Sequence, residues 1–207
     1  MRDEEMASRV PAEQHPDAPL SESRRADAER NVARIQEAAI RLWSETPTAG
    51  VAEVATAAGV GRATLYRHFP TRESLLEAIR SQGLADGERA AAGCRLDEGT
   101  ATDALGRLLG AWLELGDRYR VVVVNPSRPD QVEVRAQEER LATSIQRVVE
   151  RGQAGGEFST AIAPHWGMSA VGALLVAMIV AVGEGRIPRE DAHSLLIETV
   201  AGALRPR

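Results

Sequence analysis

The sequence predicts an all-α protein of about nine helices, with a small N-terminal head and a larger helical body. Three observations carry that expectation. Apolar residues recur at spacings of three and four along most of the chain. Breaks rich in Pro, Gly or Asn separate these runs. No segment alternates apolar and polar residues over the length of a strand. Val121–Val124 is β-branched, but its helical surroundings favour a helix end.

Met1–Ser23 holds three prolines and six acidic residues with few large apolar ones, the composition of a disordered tail. It has no apolar run, so it does not read as a signal peptide. From Arg24 to Glu45 the pattern turns helical, with Val32, Ile35, Ala39 and Leu42 on one side, and Pro47 closes the run. A short helix fits Val51–Ala58, where Val51, Val54, Ala55 and Ala58 share a face. Another fits Arg62–His68, closed by Pro70. Thr71 can cap a fourth helix, with Glu73 favourable in its first turn, running through Leu75, Leu76 and Ile79 toward Gly93.

A loop over Gly93–Thr100 leads to the helical stretch Thr102–Val124, broken at Asn125-Pro126-Ser127. Asp130–Arg151 reads as a charged amphipathic helix ended by Gly152–Gly156. Pro164–Gly183 is strongly apolar, and Gly183–Pro188 turns into a last helix, Arg189–Leu204. The domains expected are a tail over 1–23, a head over 24–80 and a body over 81–207.

The charge distribution separates the head from the rest. The chain carries a net −5, and all 25 basic residues are Arg. The tail has 2 Arg against 6 acids and the body 14 against 17, whereas residues 24–82 have 9 Arg against 7 acids. A local basic footprint matters more for a polyanion than whole-chain charge. The guanidinium fork also suits phosphate and guanine.

Val51–Phe69 has the parts of a tight helix corner. Ala55 is small where two helices approach, and Gly59 supplies the backbone angle of the turn. Val60 plugs the corner, while Leu65 and Phe69 anchor the third helix. Arg62, Thr64, Tyr66, Arg67 and His68 are left largely outward, a density of donors suited to base edges and phosphates.

The string Gly59-Val60-Gly61-Arg62-Ala63-Thr64-Leu65-Tyr66-Arg67-His68-Phe69-Pro70, then Arg72-Glu73 and Leu75-Leu76, closely resembles the TetR family of repressors. Arg25-Ala26-Asp27-Ala28-Glu29-Arg30-Asn31, Ile35 and Ala38-Ala39 resemble the family's first helix. Arg151-Gly152-Gln153-Ala154 to Glu157 resembles a recurrent family loop. The resemblance implies that the third helix enters the major groove of double-stranded operator DNA. Arg62, Ala63, Thr64 and Tyr66 would then read or approach bases, and His68 and Arg72 would hold phosphates. Arg62 serves a guanine or a phosphate; the sequence leaves both open. Arg24 and Arg25 form either a DNA-contacting arm or a solvated pair.

The chain departs from the family pattern at Gly50, where a Ser or Thr cap is usual, and at Ala52 and Gly61. Base reading therefore falls on Arg62, Thr64 and Tyr66.

Gly167–Gly183 runs 17 residues without a charge, at the lower edge of a membrane span of about 17–25 residues. Its Gly and Ala content, the charged flanks and the amphipathic helix that follows argue against a span. Ala173, Ala177 and Ala181 recur every four positions, which suits close helix packing. The resemblance implies a homodimer in which the last two helices build a four-helix bundle. Trp112, Tyr119, Trp166 and Met178, with Phe158 and Met168, either line a small-molecule cavity or fill the core.

There is one cysteine, Cys94, and no Cys/His cluster with zinc spacing. A reducing cytoplasm is the expected setting, and neither metal nor cofactor is called for. There is no Gly-rich phosphate loop and no Ser/His/Asp motif, which speaks against an enzyme. Three readings are left, in this order: a repressor released by a small-molecule effector, a DNA-binding protein without one, and last a helical enzyme.

Overall fold

A computed structural model describes residues 18–125 and 132–206, with side chains from Ala26 onward. Nine helices occur among the described residues: α1 Ala18–Glu45, α2 Val51–Ala58, α3 Arg62–His68, α4 Arg72–Gly93, α5 Ala101–Arg118, α6 Arg120–Val123, α7 Val132–Ala154, α8 Pro164–Gly183 and α9 Arg189–Leu204. No strand occurs among them. Helix α1 begins at Ala18, so Ala18–Ser23 is helical where a tail was expected. Pro19 sits in the first turn, where its missing N–H is no loss, and Leu20 and Glu22 after it are good helix formers. The expected tail over 1–17 lies outside the described residues. So do the side chains of Arg24 and Arg25.

Two buried clusters organise the chain. The first gathers Ile35, Trp43, Val54, Leu65, Phe69, Leu75 and Ile79 from α1–α4. Tyr119, Val121 and Val122 from the far side of the sequence complete it. The second joins α4, α5, α7, α8 and α9 through residues such as Leu108, Leu109, Val148, Val149 and Leu196. Helix α4 runs unbroken from one cluster to the other.

The stretch expected as one helix over Thr102–Val124 is two. The chain bends at Tyr119, with φ −94° and ψ 17°, while the Tyr119 hydroxyl donates to Asp86 of α4 at 2.6 Å. Asn125 Nδ2 donates to Val121 O at 2.7 Å and helps close α6. These partners are far apart in sequence, so local pattern does not reveal the break.

The loop between α7 and α8 is a staple. Arg151 donates to Gly99 O at 2.7 Å and Thr100 O at 3.0 Å. Glu157 accepts from the backbone N–H of Ala101 at 2.7 Å and of Thr102 at 3.0 Å, satisfying two free donors at the start of α5. Gly152 is required there, because a Cβ would lie 2.2 Å from the Phe158 ring.

Helix α8 alone among the described residues is long and apolar enough to cross a membrane by length and composition. It packs against α5, α6, α7 and α9.

Candidate nucleic-acid interface and cavity

The helix corner follows from its sequence. Gly50 precedes α2 in extended geometry and has no side chain to cap with. Glu53 compensates on one side only, accepting from the Gly50 N–H at 2.7 Å. At the other end Gly59 takes φ 63° and ψ 36°, the left-handed region. Its N–H donates to Thr56 O at 3.1 Å, and the Val60 N–H donates to Ala55 O at 3.0 Å. Arg34 of α1 reaches across to Ala58 O at 2.8 Å, satisfying another carbonyl of the helix end.

Helix α3 has seven residues, and Gly61 gives it no side-chain cap. Such a short helix is held by packing rather than propensity. Leu65 is fully buried and Phe69 nearly so. That burial fixes which residues face outward. Arg62, Ala63 and Arg67 are exposed, Thr64 is half-buried, and Tyr66 is 46% exposed. The outward side of α3 carries two guanidinium groups and a phenol.

His68 and Arg72 stand differently. His68 is half-buried and its Nε2 is enclosed without a hydrogen-bond partner. Arg72 turns inward. It donates to Ala49 O at 2.8 Å and Pro47 O at 2.9 Å, and its guanidinium lies 4.0 Å from the Trp43 ring centre. Trp43 in turn donates to Ala49 O at 2.9 Å. Arg72 thus holds the α1–α2 loop against the start of α4. The signal for this role was available in Trp43 and the loop carbonyls, but only in three dimensions.

Thr71 caps α4 as its sequence suggests. Its Oγ1 accepts from the Ser74 N–H at 3.1 Å, and Ser74 Oγ accepts from the Thr71 N–H at 3.2 Å.

A cavity of about 390 Å³ lies between α4, α5, α6, α7 and α8. Trp112 and Tyr119 line it, as do Gly87, Leu141, Ile145, Met168, Leu175 and Ile179. Two expected wall residues are elsewhere. Trp166 is 65% exposed near the start of α8, and Met178 is buried in the body core away from the wall. Helical phase explains it. Met168, Ser169, Gly172, Leu175, Val176 and Ile179 repeat at three and four along α8 and share the cavity side. Met178 is one residue, about 100°, away from Ile179. That cavity stripe was present in the uncharged run of the sequence but went unread beside the alanine repeat.

Burial, then the bond to Asp86, pushes the Tyr119 phenol well above its ordinary range, so it stays protonated. Burial likewise raises the Cys94 thiol, the opposite of a reactive thiolate.

Residues 35–79 match the family model of bacterial regulatory proteins, tetR family. Over 101 residues the chain is 37% identical to the HTH-type transcriptional repressor LfrR of Mycolicibacterium smegmatis (strain ATCC 700084 / mc(2)155). That match covers 48% of this chain and 52% of LfrR, so it spans about half the length of that relative. The crystal structure of the TetR-like regulator LfrR from Mycobacterium smegmatis in complex with proflavine is 28% identical, with a TM-score of 0.70. It matches over 85% of this chain and 97% of that one. A tetR-family regulatory protein from Rhodococcus RHA1, 18% identical with a TM-score of 0.67, shares the fold over 84% of this chain and 97% of its own.

Proposed function

The chain belongs to the tetR family of bacterial regulatory proteins, and from that premise we propose that it is a sequence-specific transcriptional regulator. It acts as a repressor in the cytoplasm and leaves its operator when a small molecule binds the body. Residues 24–80 are the reading head and 81–207 the sensing and dimerisation body. It is not an enzyme.

The observation that carries this reading is the outward ridge of α3. Arg62 and Tyr66 lie exposed on a helix whose other side is locked by Leu65 and Phe69. Arg62, Thr64 and Tyr66 are the base-reading candidates, with Ala63 against a thymine methyl. Arg67 is the free guanidinium best suited to a phosphate. His68 adds a second contact once its ring turns outward. A bidentate Arg–guanine pair contributes about 1–3 kcal/mol of discrimination.

Reading an operator with two half-sites needs two heads. The exposed Trp166 and Leu195, with Ala173 and Ala177 outward on α8, support a homodimer through α8 and α9. The cavity supports an effector-responsive mechanism. Helix α4 starts at the helix corner and forms a cavity wall at Gly83 and Gly87. A molecule that prefers one position of α4 changes the spacing of the heads.

The test is selection of a preferred site from random DNA with the purified chain. A two-part site with regular spacing is expected. Arg62→Ala and Tyr66→Ala should weaken binding to it about tenfold or more, with melting temperature and dimerisation unchanged. Unchanged binding by both variants would refute the α3 assignment.

A further inference from the structure

We propose that the cavity takes a neutral, predominantly apolar molecule and discriminates against ionised ones; this rests on reading the cavity as the effector site. The wall is built from Trp112, Leu141, Ile145, Leu175 and Ile179 together with glycines. Its polar groups are already committed within the chain. The Trp112 indole N–H donates to Gly87 O at 3.0 Å. The Tyr119 hydroxyl donates to Asp86, and Ser169 Oγ donates to His165 O at 3.0 Å.

Among the described residues that line the cavity, none is a carboxylate. Its single charged wall residue is Arg80, whose Nη2 donates to Val122 O at 3.2 Å and Asn125 O at 2.9 Å. A cation entering this space would lose its hydration, find no carboxylate in the wall and meet a guanidinium. Burying an unpaired charge is heavily unfavourable. An anion would meet one guanidinium, whose Nη2 is already shared between two carbonyls, in a wall that otherwise offers its charge only apolar surface. A neutral apolar body loses nothing and gains contact with the aromatic and aliphatic wall. At about 390 Å³ the space falls within the range of small-molecule sites, about 300–1,000 Å³.

The glycines also supply the test. A Cβ at Gly83 would lie 3.0 Å from the Tyr119 ring, but one at Gly172 meets nothing within 4 Å. Gly172 therefore opens onto free space on the cavity side of α8. A Cβ at Gly172 meets no neighbour, so Gly172→Leu should extend into that space, and replacing a mid-helix glycine favours folding.

The experiment titrates the full chain with N-phenyl-1-naphthylamine, a neutral probe that fluoresces in apolar surroundings. Proflavine serves as the cationic competitor and decanoate as the anionic one, each also titrated directly. Saturable probe binding is expected, weakened at least tenfold by Gly172→Leu with an undiminished melting temperature. Neither ion should displace the probe at a tenfold excess. Displacement by proflavine or decanoate at equal concentration, with Gly172→Leu still blocking the probe, overturns the preference for neutral ligands and leaves the effector site standing. Binding of all three compounds that is absent, or indifferent to Gly172→Leu, overturns the effector site itself.

Discussion

Replacing Gly59 by Ala tests whether the left-handed turn between α2 and α3 stabilises the helix corner. Gly59 lies at φ 63° and ψ 36°. For a residue with a Cβ, that left-handed geometry costs about 1–2 kcal/mol. The new Cβ would also stand 2.9 Å from Arg34 Nη2. Arg34 is flexible and can swing aside, but it then releases Ala58 O, which it holds at 2.8 Å. Losing that bond adds about 1 kcal/mol. The lower entropy of the unfolded Ala chain offsets about 0.4–1 kcal/mol. The net loss is about 1–2.6 kcal/mol, a fall of roughly 2–10 °C in melting temperature for a chain of this size. Thermal melts followed by circular dichroism, with urea midpoints as a check, measure it. Asn tolerates the left-handed region, so Gly59→Asn should lose about half as much as Gly59→Ala. Equal stability of Gly59→Ala and the parent chain, or equal damage from Asn and Ala, would refute the reasoning.

Two further outcomes follow from packing and charge. A Cβ at Gly116 would lie 2.3 Å from Ile179 Cδ1, so Gly116→Ala should cost about 1–3 kcal/mol by overpacking. Ile179→Ala removes the obstructing atoms. The double variant should therefore be more stable than the sum of the single changes predicts, and simple additivity in urea unfolding would count against the clash. Glu157 is held below the usual carboxylate range, chiefly by the Ala101 N–H and further by Thr102, against the opposing effect of burial. A group whose folded pKa is depressed stabilises above its unfolded value, about 4.3, and that contribution fades as pH falls through the lower folded value. Glu157→Gln should thus be less stable than the parent at pH 7. The gap should narrow steadily below about pH 4.3, and urea midpoints showing a constant gap down to pH 3 would dismiss this role.

Much of the fold was legible because punctuation is local. Helices α2, α3, α8 and α9 begin and end where Gly and Pro interrupt apolar spacing, and the structure has the bounds read from the sequence. Other features depend on distant partners. The bend at Tyr119 coincides with its bond to Asp86, 33 residues earlier. The family resemblance offers Arg72 as a phosphate ligand, and in the structure Trp43 and two loop carbonyls engage it. Scarcity of aromatics made Trp166 a natural cavity candidate, but rarity carries no directional information. The glycines that open the cavity gave no signal of their own, since a missing side chain matters only against its neighbours.

Helix α6 also bears on how such proteins can be recombined. Val121 and Val122, together with Tyr119, lie in the buried cluster of the N-terminal head. A chimera joined after residue 80 would transplant a head whose interior is missing three of its stones. It would also cut α4 in mid-helix. A working graft must carry a segment equivalent to 119–122 from the same parent, or redesign the faces of α1 and α4 that it covers. Exchange of bodies among chains of this fold therefore has a seam that follows the packing of α6 rather than the order of the chain.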